Sequence, residues 1–149
     1  MQPMGQKKLP TMLVVEDEPM IISAYRRILH DQVEIVGVQD AASALGLLAD
    51  TNFDLIVAEA SVTGPGGTIF IRSLEADYPR LLSRLIITSG GRELEAVNDL
   101  EFRHGCLFVR KPAESSSMLR AVEKVLAKVD SGKLSKLIRP CDARDREPA

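Results

Sequence analysis

The chain has 149 residues, of which 45% are apolar and 27% charged, a globular composition with room for one domain and its core. Its 19 Lys+Arg against 21 Asp+Glu leave a formal net charge of −2, which excludes a basic nucleic-acid footprint over the whole chain but not a local patch. Cys106 and Cys141 lie far apart without metal-ligand spacing, against a disulfide framework or zinc site and in favour of a reducing cytoplasm. No apolar run approaches the roughly 18 residues of a membrane span, and Met1 to Gln6 lack the apolar core of a signal peptide.

Residues 1–8 are polar and expected to fray, and a single domain is expected over 9–130. Leu13-Val14-Val15 reads as a buried strand ending in Glu16-Asp17-Glu18. Pro19 suits a first helical turn, and Ile21, Tyr25, Ile28 and Leu29 keep helical spacing up to His30. Val33–Val38 predicts a second strand, and Ala41–Asp50 a helix with Leu45 and Leu48 on one face. Leu55-Ile56-Val57 predicts a third strand that ends at Glu59. The breakers Thr63-Gly64-Pro65-Gly66-Gly67 follow, then a helix to about Asp77 that stops at Tyr78-Pro79. Leu85-Ile86-Ile87 is a fourth strand running into Thr88-Ser89-Gly90-Gly91, and Glu93–Glu101 a fourth helix. Leu107-Phe108-Val109 is a fifth strand before Arg110-Lys111-Pro112. In the last helix Met118, Val122, Val125, Leu126 and Val129 share a face, with Ser115–Ser117 as capping hydroxyls. Residues 131–149 read as a polar tail, too short for an output domain, which makes a stand-alone domain the expectation.

Continuous apolar strands alternating with helices predict an α/β fold, a doubly wound parallel sheet of five strands. Such sheets carry their functional groups beyond the carboxyl ends of the strands. There the chain places Glu16 and Asp17, Glu59, Thr88 and Lys111. Three carboxylates against one ammonium leave a negative surplus that one divalent cation would neutralise. Oxygen donors of this kind suit Mg²⁺. Thr and Lys suit the oxygens of a phosphoryl group.

Leu13 to Pro19, Asp54 to Glu59, Leu85 to Ser89 and Phe108 to Pro112 together resemble the signature segments of response-regulator receiver domains, over about residues 10–130. The resemblance implies a flavodoxin-like fold with strand order 2-1-3-4-5 and a role in two-component signalling, or phosphorelay. It implies phosphotransfer from a histidine kinase or phosphorelay protein to an Asp at the end of strand three, and a downstream protein target. It assigns Mg²⁺ to Glu16, Asp17, the acceptor position and the Ser61 backbone carbonyl. It makes Thr88 the switch hydroxyl, Phe108 the switch aromatic and Lys111 the phosphate-pairing lysine. At the acceptor position itself this chain has Glu59, and the nearest Asp, Asp54, lies at the start of the strand. Thr63 stands where the family has its loop proline, with Pro65 further on.

Each of these residues also has a plainer reading. Glu16 and Asp17 are suited to charging a helix N-terminus. Thr88 is suited to a turn, and Phe108 to the core. Gly64-Pro65-Gly66-Gly67 lacks the spacing of a phosphate loop and reads as a turn. His30 and His104 read as surface residues, and Arg103, Arg110, Lys124 and Lys128 as solvated faces. Two receiver functions stay open. Either Glu59 imitates a phosphorylated Asp, or the domain is a phosphorylation-independent docking or dimerisation module. A small phosphatase or nucleotide-binding enzyme is the other class, disfavoured because neither a glycine fingerprint nor a nucleophile–base pair is present. The expectation is a non-enzymatic cytoplasmic protein that contacts neither nucleic acid nor membrane. A homodimer is possible through the face of the fourth helix, fifth strand and fifth helix, which bears Glu93, Arg103, Arg110 and Lys124.

Overall fold

In the computed structural model the five apolar runs become five parallel strands; it describes residues 8–62, 68–90, 105–111 and 115–138. The strands are β1 (Thr11–Val15), β2 (Glu34–Val38), β3 (Leu55–Glu59), β4 (Leu85–Ser89) and β5 (Leu107–Arg110), in the order β2-β1-β3-β4-β5. This is the flavodoxin-like receiver topology expected from the sequence. The chain crosses from β2 over β1 to β3, which puts β1, β3 and β4 inside the sheet with helices on both faces, so Met12–Val15, Leu55–Ala58 and Leu85–Ile87 are continuous apolar runs.

Helix α1 (Pro19–Ile28) starts with Pro19 in its first turn and ends with Arg26 and Arg27, cations that suit a helix C-terminus. It stops at Ile28, short of the expected His30. Arg26 donates to the Ile35 carbonyl at 2.8 Å and so ties the helix to edge strand β2. Helix α2 (Ala41–Asp50) has the expected bounds. Its first turn is capped by Asp40, which accepts the Ser43 N–H at 2.7 Å. That bond holds the Asp40 carboxyl below its ordinary range. Helix α3 (Thr68–Asp77) is followed by a 3-10 helix, Pro79–Arg84. Tyr78-Pro79, expected as a helix stop, opens this 3-10 helix, because proline also suits a first helical position. The C-terminal helix, Ser115–Ile138, runs past Asp130 into the segment read as a tail. The expected helix Glu93–Glu101 and the loop Thr63–Gly67 lie outside the described residues, as do His104, Arg103 and Cys141.

Alternation along the strands divides the core in two. Leu13, Val15, Ile56, Ala58, Leu85 and Ile87 face α2, α3 and the 3-10 helix. Met12, Val14, Leu55, Val57, Ile86 and Val109 face α1 and the C-terminal helix, through Tyr25, Met118, Val122 and Val125. Gly37 in β2 permits α1 to come close: a Cβ there would lie 2.8 Å from the Ile22 Cγ2. Cys106 is buried and reduced, its thiol on the Leu82 carbonyl at 3.2 Å. No helix among the described residues is long and apolar enough to cross a membrane.

Candidate functional site

The same alternation builds the site. Two residues beyond Val14, Val57, Ile86 and Val109, on the side of α1 and the C-terminal helix, come Glu16, Glu59, Thr88 and Lys111. Parallel pairing aligns their strands: Glu59 is level with Thr88 in β4, and Thr88 with Val109 in β5. All four side chains therefore converge on one rim at the carboxyl ends of the strands.

Lys111 Nζ is the positive centre of this rim. It lies 3.2 Å from Glu16 Oε2 and 4.0 Å from Glu59 Oε1. The side chains of Glu16 and Glu59 are only 2% and 8% exposed, so both carboxylates depend on partners in place of water. Glu16 also accepts the Glu18 N–H at 3.3 Å. Burial pushes the Glu16 carboxyl above its ordinary range and the adjoining Asp17 carboxylate adds to this, while Lys111 and the Glu18 amide work the other way. Asp17 itself is exposed.

Glu59 turns its second oxygen onto the chain that follows it. Oε2 accepts the Ser61 N–H at 2.8 Å, the Val62 N–H at 3.1 Å and the Ser61 hydroxyl. The carboxylate thus caps the turn leaving β3 and orders it. Ser61 is joined to the site through its amide and hydroxyl.

Two hydroxyls sit beneath the acids. Thr88 is 1% exposed, and its Oγ1 has no hydrogen-bond partner among the described residues. Beside it rises the phenol of Tyr25 from α1. Burial pushes the Tyr25 pKa up to about 12; the Glu16 and Glu59 carboxylates reinforce the shift and Thr88 opposes it. Tyr25 is thus a neutral hydroxyl facing a cluster of charge. In the sequence it stands out only as one of the helically spaced residues Ile21, Tyr25, Ile28 and Leu29. The available signal was its hydroxyl, since a buried tyrosine needs a polar neighbour.

The remaining sequence candidates fall elsewhere. Phe108 is level with Ile87 and packs, half-buried, into the core on the opposite side of the sheet from Thr88. Asp54 lies at the far end of the sheet, where it accepts the Thr11 N–H at 2.9 Å and latches β3 to β1. His30 is exposed and pairs with Asp31 at 3.0 Å.

The donors are oxygens of the kind Mg²⁺ takes, but several of them are already engaged within the rim. Among the described residues no three acids, His or Cys converge to hold a metal. Glu59 is anchored on Ser61 and Val62, and the Lys111 ammonium already serves Glu16.

Several solved structures share this architecture. The signal receiver domain of an HD domain-containing protein from Pseudomonas fluorescens Pf-5 is 22% identical, with a TM-score of 0.69 over 83% of this chain and 99% of that one. A response regulator receiver domain protein from Clostridium thermocellum is 20% identical, TM-score 0.69, over 85% and 98%. The signal receiver domain of a putative LuxO repressor protein from Vibrio parahaemolyticus is 20% identical, TM-score 0.72, over 89% and 98%. No curated protein matches the chain significantly. In sequence, the response regulator receiver domain family matches residues 12–123. That span begins within β1 and ends within the C-terminal helix, so it takes in the whole rim, and the chain belongs to the response regulator receiver domain family of two-component signalling.

Proposed function

We propose that this receiver carries Glu59 in place of the phosphoacceptor Asp, takes up no phosphoryl group there, and signals through protein–protein contacts. Receiver domains typically bind Mg²⁺ and take their signal from a histidine kinase. The observation that carries the proposal is the position of the Glu59 carboxylate. It ends β3 on the rim, one oxygen 4.0 Å from Lys111 Nζ and the other capping the Ser61 and Val62 amides. The protein's own negative charge thus stands beside the lysine that would pair with a phosphoryl group. Relative to Asp, one extra methylene advances the carboxylate by roughly 1 Å, a displacement that can lower a reaction rate about 10²-fold. Lys111 holds the carboxylates of Glu16 and Glu59 together, and Ser61 fixes the direction of Glu59. Binding of Mg²⁺ through Glu16, Asp17, Glu59 and the Ser61 carbonyl would be weak, because the ion competes with Lys111 for Glu16.

In this reading the Glu59 charge biases the surface of β5 and the C-terminal helix towards the arrangement that binds the downstream partner. Residues 91–104, which the sequence adds to that surface, lie outside the described residues. A second reading is favoured by Thr88. Its buried hydroxyl makes no hydrogen bond to Glu59 among the described residues, so the carboxylate has not drawn the switch hydroxyl to itself. The pocket is then silent and the domain a constitutive docking or dimerisation module. Hydrogen exchange on Glu59→Gln and Lys111→Ala separates the two. Charge imitation predicts changed protection over Leu107–Arg110 and the adjoining helix in both variants. Unchanged protection there in both would overturn it in favour of the silent pocket.

A further inference from the structure

Strand β5 is an edge of the sheet, and its outer side is open among the described residues. In a parallel ladder each residue points its N–H and C=O to the same side, and successive residues alternate. The Lys111 N–H donates to the Ser89 carbonyl at 2.8 Å. Leu107, Val109 and Lys111 therefore face β4, and Phe108 and Arg110 turn their backbone groups outward. Beside this edge runs a groove of about 470 Å³, bounded on the C-terminal helix by Ser117, Arg120, Ala121 and Lys124. Those four recur at helical spacing and form one stripe. Arg110, Arg120 and Lys124 are exposed, and none has an ion pair among the described residues. The nearby acid of that helix, Glu123, falls outside the stripe.

We propose that this groove binds an extended acidic segment of a partner protein, which adds as a strand to the free edge of β5. Taking this surface as the output face rests on the function proposed above; the occupant's chemistry follows from the groove. An open strand edge selects an extended backbone, because only that conformation returns its hydrogen bonds. The three cations select carboxylates. The half-buried side chains of Leu107 and Phe108 supply apolar surface between them. Because an extended segment alternates its side chains between two faces, acidic residues towards Arg120 and Lys124 and apolar residues towards Phe108 would meet both requirements. A second copy is a poorer occupant, since a two-fold axis through the described face would set cation against cation. Nucleic acid is poorer too: three cations on a chain of net charge −2 give little counterion release.

The test uses fluorescence anisotropy with the full chain. The probes are a labelled peptide of alternating Glu and Val, the same peptide N-methylated at alternate amides, and a single-stranded oligonucleotide of equal charge. The Glu-Val peptide should bind, more weakly as salt rises. The doubly reversed variant Arg120→Glu, Lys124→Glu, with an unchanged melting temperature, should bind it at least about tenfold more weakly. N-methylation should weaken binding to a similar degree. The proposal is overturned if the parent does not bind the peptide, if charge reversal or N-methylation leaves its affinity intact, or if the oligonucleotide binds as tightly. It is also overturned if sedimentation shows a dimer that the reversal dissociates, for the occupant is then a second copy. Glu59→Gln keeps the groove's charge. If it leaves peptide binding and exchange unchanged while the reversal abolishes binding, the groove stands and the charge-imitation reading falls. If the reversal does nothing while Glu59→Gln alters exchange, the groove falls and that reading stands.

Discussion

Lys111→Met removes the ammonium that faces Glu16 and Glu59 and leaves two buried carboxylates behind. Its Nζ lies 3.2 Å from Glu16 and 4.0 Å from Glu59, and the lysine side chain is 21% exposed. At an effective dielectric of about 20, each attraction amounts to about 4–5 kcal/mol before desolvation. Stripping one partner from a buried pair costs about 3–5 kcal/mol. Partial exposure of Lys111 reduces this, and Glu16 can relieve part of it by taking a proton, since burial has already raised its pKa. We expect a net loss of about 2–4 kcal/mol at pH 7.5. The raised Glu16 pKa fixes the pH dependence. Its stabilising contribution is complete while the carboxyl is protonated in both states and is lost as pH rises through the folded-state pKa. Without Lys111 that pKa moves higher, so the deficit should be larger at pH 7.5 and shrink towards pH 5. Urea denaturation at the two pH values measures it. Mg²⁺, freed from its competitor, should raise the melting temperature of the variant more than that of the parent. Equal stability of variant and parent at pH 7.5, or a deficit that grows towards pH 5, would refute the reasoning.

Tyr25→Phe bears on alkaline stability. The folded Tyr25 pKa of about 12 exceeds its ordinary 10.0, so the parent is unaffected below pH 10 and loses stability as the unfolded chain ionises first. The parent should lose about 1.4 kcal/mol more than the variant between pH 8 and 11; parallel curves in urea denaturation would contradict this. Gly37→Ala places a Cβ 2.8 Å from Ile22 Cγ2 and should cost about 1–3 kcal/mol. The double variant with Ile22→Ala should lose less than the sum of the two single changes, and strict additivity would argue against the close approach.

The fold was legible because its strands are short, apolar on both faces and separated by clear breakers. Leu13-Val14-Val15 and Leu85-Ile86-Ile87 admit few other readings, and parallel sheets gather their strand ends. That rule alone brought Glu16, Glu59 and Lys111 to one rim. What the residues do there was not legible, because it depends on side-chain direction. Nothing in the order Glu59-Ala60-Ser61-Val62 says that the carboxylate folds back onto its own turn. Tyr25 shares its spacing with Ile21 and Ile28, so periodicity marks it as core and hides its hydroxyl. Pro79 was read as a stop although it equally opens a helix. Polar composition after Asp130 suggested a tail, but polarity alone does not end a helix. Lys and Leu propagate one, and the helix continues to Ile138.

The central claim is that Glu59 occupies the phosphoacceptor position and withholds it from chemistry. Intact-mass measurement after incubation with a small phosphodonor and Mg²⁺ tests this most directly, on the parent and on Glu59→Asp side by side. The account predicts an unmodified parent and a phosphate adduct on Asp at that position in the variant. A stoichiometric phosphate adduct on Glu59 of the parent would contradict it.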